Sequence, residues 1–154
     1  QPARTECMNW LFWQMGSAPY LGGGFGHFYV YAPERYRYPI DRYAMETKRI
    51  FDVADQQLAK TRFLAGDDLS IADIAAYPWL GNLYHGAYNR CDIFLSLDEY
   101  EHVGRWVKEI DARPAAIRGR LVNTQAMEER HSAADFDKVE DRSLFDPVRK
   151  RADV

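Results

Sequence analysis

An all-α fold, a bundle of about five to six helices, is predicted by two features of the 154-residue sequence. Apolar residues recur at steps of three and four over long stretches, which is the spacing of one helix face. One stretch also carries a helix-start pattern, because Ser70 is followed three residues later by Asp73, the spacing of a capping box. Leu69 and Ile74 bracket this cap as a hydrophobic staple, so we predict that a helix begins after Ser70.

The N-terminal part of the chain is predicted to form two helices joined by a loop. The first helix runs from about Arg4 to Met15 and is apolar on most sides, which indicates burial against more than one neighbour. From Gly16 to Pro39, many glycines and prolines predict an irregular, aromatic loop that packs on the domain and faces a ligand. A long amphipathic helix follows from about Pro39 to Lys60. Its apolar positions are Ile40, Tyr43, Ala44, Thr47, Ile50, Phe51, Ala54 and Leu58.

The capped segment after Ser70 is the predicted central helix of the core. It is too apolar for a surface position, and the side chains expected in the core are Ile71, Ile74, Ala75, Pro78, Trp79 and Leu80. Pro78 removes one backbone hydrogen bond, so a kink is expected there. Asp98 repeats the cap-and-acid spacing and opens a helix up to Arg113, and Pro114 opens a last, shorter one.

Charge and composition exclude several classes of protein. The net charge of −3 gives no reason to expect a nucleic-acid partner, and no apolar run approaches the roughly 20 residues of a membrane span. Cys7 and Cys91 form no Cys-x-x-Cys pair, which suits the reducing cytoplasm, and we expect both thiols to be inert and at least half-buried. The four histidines lack the spacing of a metal site, so no metal is predicted.

Four stretches together carry a family resemblance. Residues 63–79, which read FLAGDDLSIADIAAYPW, resemble the signature of the helical C-terminal domain of cytosolic glutathione transferases. The other three are MNWLFWQ at residues 8–14, GGGFGHF at residues 22–28 and IDRYAMETKR at residues 40–49. With Arg113-Pro114-Ala115 they resemble the bacterial Nu class, the glutathione-dependent disulfide reductases related to yeast prion-type transferases.

The resemblance implies a set of residues that bind glutathione, the co-substrate. The arginine matching Arg42 contacts glutathione from the helical domain, and a guanidinium fork matches a carboxylate in two parallel hydrogen bonds. On sequence alone, an exposed or ion-paired helix arginine is the alternative. Gln14 and Met15 occupy positions of which one lines the second glutathione or disulfide pocket. His27 and Phe28 match a loop motif that lines the cleft, although a packing role is equally open.

The resemblance also implies how the chain is organised. Residues 1–125 correspond to the helical domain, and the charged residues 126–154 to a tail that is extended or packed on a partner domain or subunit. A thioredoxin-like N-terminal domain, which holds the glutathione sulfur, has no counterpart in this chain. We therefore predict no catalytic residue here, a homodimer, and no activity for this fragment alone. The alternatives are a non-catalytic interaction module of the same fold and a free-standing helical hydrolase.

Overall fold

The computed structural model describes residues 2–120, and it divides the chain into two compact units, residues 1–112 and a second that starts at Arg113. The predicted all-α fold is confirmed, because the described residues contain helices and a single isolated β-bridge but no strand. The α-helices are α1 (Pro2–Pro19), α2 (Arg37–Leu58), α3 (Ile71–Tyr84), α4 (Cys91–Phe94), α5 (Glu101–Asp111) and α6 (Pro114–Arg120). A π-helix (Tyr20–Tyr31) follows α1, and a 3₁₀ turn (Leu97–Glu99) precedes α5.

The π-helix corrects the prediction of an irregular loop from Gly16 to Pro39. The chain continues from α1 into a wider helix, in which backbone bonds reach five residues back, as in the 2.7 Å bond from the Ala32 amide to the His27 carbonyl. Gly22 and Gly24 allow this helix to pack closely, because the rings of Trp79 of α3 and Tyr43 of α2 lie directly against their backbone. A helix of this kind is rare, and a reading of glycine as a helix breaker therefore missed it.

Helix α2 confirms the predicted amphipathic helix, with both ends two residues earlier than expected. Its buried residues fall at helical spacing and are Thr47, Ile50, Phe51, Ala54 and Leu58. It packs against both the π-helix and α5. Helix α2 is therefore the element that connects the aromatic N-terminal region with the core.

The predicted cap of α3 is present and does more than begin the helix. Ser70 is the N-cap, and its amide and hydroxyl donate to one carboxylate oxygen of Asp73, at 2.9 and 2.8 Å. The other oxygen accepts hydrogen bonds from the Leu64 amide and from the indole Nε1 of Trp106, both at 2.9 Å. Asp73 is fully buried. One carboxylate thus fixes the start of α3, the turn before it and a tryptophan of α5.

The expected burial of the α3 apolar residues is wrong for four of them, including Pro78, which is exposed. Ile71 is 54% exposed, Ile74 60% and Trp79 37%. The buried stripe of α3 instead contains Ala72, Asp73, Ala76, Leu80, Gly81 and Leu83. Alanines and an aspartate form the inward face because Asp73 must reach its hydrogen-bond partners inside the core, and this rotation turns the isoleucines outward. The helix runs through Pro78 to Tyr84, and the kink stays a prediction.

The start of α5 also differs from prediction, because Asp98 lies in the preceding 3₁₀ turn and the N-cap is Tyr100, without a side-chain cap. Asp55 of α2 supplies the missing acceptor: one carboxylate oxygen lies 2.9 Å from the amides of both His102 and Val103. In return, the Arg105 guanidinium of α5 donates to the carbonyl of Leu58, the last residue of α2, and to those of Thr61 and Arg62 in the turn that follows. The two helices therefore cap each other.

The second unit contributes α6, which begins at Pro114 as predicted. The predicted charged tail, residues 126–154, and the domain boundary at residue 125 lie outside the described residues. Among the described helices, none is both long and apolar enough to cross a membrane.

Candidate functional site

A group of aromatic side chains lies where the π-helix packs on the first half of α2. The Tyr43 ring of α2 stacks on Phe28, with centroids 5.5 Å apart and planes 12° apart, and Tyr20 lies 6.3 Å from Tyr43. His27 meets Phe28 edge-on at 5.0 Å. We call Tyr20, His27, Phe28 and Tyr43 the aromatic cluster. His27 and Tyr20 are its exposed members, so the cluster reaches the surface.

Sequence spacing explains how the cluster forms. Tyr20, Gly24 and Phe28 are four residues apart, about one turn of the π-helix, and all three contact the Tyr43 ring. At Gly24 a side chain would collide with that ring, because a Cβ atom there has no room beside it. The glycine thus lets Tyr43 lie against the backbone, between two aromatic neighbours from the same helix.

Charged residues of α2 flank the cluster. Arg42 precedes Tyr43, and its side chain is 55% exposed; its Nη1 lies 3.6 Å from an oxygen of Glu46. Arg49 binds the same carboxylate more closely, through Nε at 3.0 Å and Nη2 at 2.5 Å. We call Arg42, Glu46 and Arg49 the charge triad. Two guanidinium groups and one carboxylate leave one positive charge in excess, which favours an anionic ligand beside the aromatic cluster.

The Glu46 carboxylate is ionised in this arrangement. The hydrogen bonds from Arg49 lower the pKa of Glu46 below its usual value, and they outweigh the opposing effect of burial. The Glu46 side chain is only 14% exposed, whereas both arginine side chains are more than half exposed. The two positive charges of the charge triad are therefore more open to solvent than its negative charge.

The remaining predicted site residues lie on α1, in two different environments. Gln14 is 5% exposed, and its Oε1 has no hydrogen-bond partner among the described residues. It lines a small cavity between α1, α2 and α3, together with Ser17, Ile50 and Trp79. Met15 is 61% exposed. Gln14 therefore presents an unused acceptor inside the domain, while Met15 presents an apolar surface.

The structure brings His27 and Phe28 into contact, and Arg42 is next in the chain to Tyr43, the stacking partner of Phe28. Arg42 forms an ion pair with Glu46, and more than half of its side chain is exposed. An exposed or ion-paired helix arginine is the alternative to a glutathione contact that the sequence left open. Sequence reasoning did not single out Glu46 or Arg49 as site residues. Their positions four and seven residues after Arg42 are the signal that could have found them, because such residues share a helix face.

Metal ligation and thiol chemistry find no support in the described residues. Within residues 2–120, no three histidine, cysteine, aspartate or glutamate side chains converge as metal ligands would. Cys91 is buried with its thiol 3.4 Å from the Leu83 carbonyl, and burial raises the pKa of this thiol. A thiol in that environment is a poor nucleophile. The site thus offers charge, aromatic surface and hydrogen bonds, which are means of binding a ligand.

Comparison with known proteins gives consistent relatives. The chain is 52% identical over 140 residues to the disulfide-bond oxidoreductase YghU of Escherichia coli, which covers 87% of this chain and 49% of that protein. A solved structure of glutathione transferase YghU from Streptococcus pneumoniae, complexed with glutathione, is 49% identical with a TM-score of 0.76, over 78% of this chain and 46% of that one. The chain thus spans about half the length of these relatives.

A second solved structure is a glutathione transferase of Burkholderia graminis with two glutathione molecules bound per subunit. It is 35% identical, has a TM-score of 0.73, and covers 79% of this chain and 51% of that one. The family model described as "Glutathione S-transferase, C-terminal domain" matches residues 27–114, which is more than half of the chain and includes all of α2, α3, α4 and α5. The chain belongs to the family of glutathione S-transferase C-terminal domains.

Proposed function

We propose that this chain is the helical half of a glutathione-dependent disulfide-bond reductase of the Nu class, and that it binds glutathione through Arg42. The observation that carries the proposal is the exposed positive charge of the charge triad beside the aromatic cluster. Glutathione carries two carboxylates, and the Arg42 fork suits one of them. Relatives that are about half identical to this chain over the aligned residues are a disulfide-bond oxidoreductase and a glutathione-bound transferase, which supports the proposal.

In the proposed reaction the chain contributes binding and not a nucleophile. The glutathione thiolate attacks one sulfur of a disulfide, the sulfur–sulfur bond breaks, and the second sulfur leaves as a thiolate that takes a proton. The thiolate of a second glutathione then attacks the glutathione sulfur of the mixed disulfide, the bond to the substrate sulfur breaks, and that sulfur leaves as a thiolate that takes a proton, so that two glutathione molecules are oxidised to one glutathione disulfide for each disulfide reduced. The thiolate would be held by a thioredoxin-like half, in keeping with relatives about twice as long as this chain.

The other predicted residues take supporting roles in this proposal. His27 and Phe28 form the wall of the cleft, and either Gln14 or Met15 lines a second glutathione or disulfide pocket. Gln14 offers an unpaired acceptor, whereas Met15 offers exposed apolar surface. Exposed apolar side chains on α1 and α3 support contact with a further domain or subunit, and the most exposed of them are Phe12, Met15, Ile71 and Ile74.

The binding experiment uses the full natural polypeptide that contains this chain. Isothermal titration with glutathione should show weaker binding for Arg42→Ala, by about tenfold or more, since a charge-assisted pair to the ligand is lost. Arg37→Ala is the control, because Arg37 is an exposed, ion-paired arginine of the same helix. Unchanged affinity of Arg42→Ala would contradict the role of Arg42.

A reductase assay addresses the reaction itself. Oxidation of glutathione by a small dialkyl disulfide, measured with the same polypeptide, should exceed the uncatalysed rate. Glutathione binding without turnover, or no binding at all, would favour the alternative of a non-catalytic interaction module of this fold.

The proposal includes three further features of the assembled protein. It is a homodimer in the cytoplasm, and residues 126–154 form a tail beyond a domain that ends near residue 125. Sedimentation equilibrium tests the dimer, and a monomeric mass at micromolar concentration would contradict it. Cleavage confined to residues after 125 in limited proteolysis would support the boundary, and early cleavage within α2 or α3 would contradict it.

A further inference from the structure

The Glu46 carboxylate is shared unequally by its two arginine neighbours. One oxygen, Oε1, accepts from both Nε and Nη2 of Arg49, at 3.0 and 2.5 Å. The other oxygen lies 3.6 Å from Nη1 of Arg42, which is longer than a hydrogen bond. Arg49 is thus hydrogen-bonded to Glu46, while Arg42 forms only a longer ion pair with it.

This inequality has a chemical consequence for any anion that approaches Arg42. The Glu46 side chain is only 14% exposed, and Arg49 stabilises its carboxylate from the C-terminal side. Without Arg49, the nearest cation is Arg42, four residues before Glu46 on the same helix face. Glu46 would then compete with the incoming ligand for the same guanidinium, and the local excess of positive charge would vanish.

We propose that Arg49 is a positioning residue for ligand binding: by holding Glu46, it keeps Arg42 available for a carboxylate of glutathione. The proposal rests on the proposed function, because it concerns the same site. It assigns Arg49 an effect on glutathione affinity that needs no contact between Arg49 and glutathione. Glu46 acts in this proposal as an internal competitor of the ligand.

The test is a double-mutant cycle in the full natural polypeptide, with the dissociation constant for glutathione measured by titration. Arg49→Gln should weaken binding roughly three- to tenfold, and Glu46→Gln should bind as tightly as the unaltered protein or more tightly. The double variant, Arg49→Gln with Glu46→Gln, should return to within about twofold of Glu46→Gln alone, because the competitor is gone. Arg49→Lys, which keeps the charge, should recover most of the affinity.

A purely structural role of Arg49 would give a different pattern. In the reductase assay, Arg49→Gln should raise the KM for glutathione and leave kcat nearly unchanged, whereas a distorted domain would lower both kcat and the melting temperature. Arg37→Gln is the matched control, since it removes an exposed, ion-paired arginine from the same helix.

Three results separate the outcomes. Wild-type affinity in Arg49→Gln, or a double variant as weak as Arg49→Gln, would overturn the proposal while leaving the proposed function in place. Absence of glutathione binding by the unaltered protein would refute the proposed function, and this inference with it. Binding that is lost in Arg42→Ala and weakened in Arg49→Gln, with recovery in the double variant, would support both.

Discussion

Replacement of Asp73 by alanine is expected to destabilise the domain strongly while leaving glutathione contacts intact. The carboxylate is fully buried and accepts four hydrogen bonds. Two of the donors, the Leu64 amide and the Trp106 indole, are buried as well, and each would lose its partner at a cost of about 1–3 kcal/mol. The lost cap at Ser70 adds about 1 kcal/mol. The sum is about 3–7 kcal/mol, or roughly 6–28 °C in melting temperature at about 2–4 °C per kcal/mol for a domain of this size.

The assay is chemical denaturation monitored by tryptophan fluorescence, with Asp68→Ala as the control, since Asp68 is an exposed aspartate of the same turn. Glutathione affinity, measured below the melting temperature, should stay close to that of the unaltered protein. A normal melting temperature together with lost binding would refute the reasoning, because it would place Asp73 in the ligand site and not in the core.

Two further predictions concern single side chains. Gly24→Ala forces a Cβ atom against the Tyr43 ring and should lower the free energy of unfolding by about 1–3 kcal/mol. Gly23→Ala, where a Cβ atom meets open space, is the control and should be neutral or stabilising. Equal losses of stability in the two variants, measured by denaturation, would contradict this packing. Burial raises the pKa of Cys91 and so reduces the fraction of this thiol that is ionised. Iodoacetamide near pH 8, with the products identified by mass spectrometry, should therefore modify the half-buried Cys7 first. Faster reaction at Cys91 would contradict the burial of its thiol.

Patterns in the sequence correctly predicted the start of α3 and the extent of α2. The spacing of Ser70 and Asp73 gave the start of α3, and the three-and-four periodicity gave α2 to within two residues at each end. Both signals depend only on residues within one or two helical turns of each other, and these can be read directly from the sequence.

Features decided by distant residues were not predictable in this way. Ile74 is exposed because Asp73 turns inward to Leu64 and Trp106, and only the tertiary structure brings those donors together. Asp98 had the spacing of a cap, but the acceptor at α5 comes from Asp55. For the candidate site, the resemblance supplied Arg42, while its relation to Glu46 and Arg49 required the side-chain geometry.

The mutual capping of α2 and α5 determines how the domain can come apart. Asp55 and the residues it caps are separated by 47 and 48 positions in the chain, and Arg105 lies similarly far from the carbonyls it binds. Neither helix can fray at these ends without breaking hydrogen bonds to the other. Partial opening therefore gains little chain entropy compared with the hydrogen bonds that it breaks. We therefore expect the segment from α2 to α5 to unfold as one cooperative unit, so that α2, which carries the charge triad, stays intact for as long as that unit is folded.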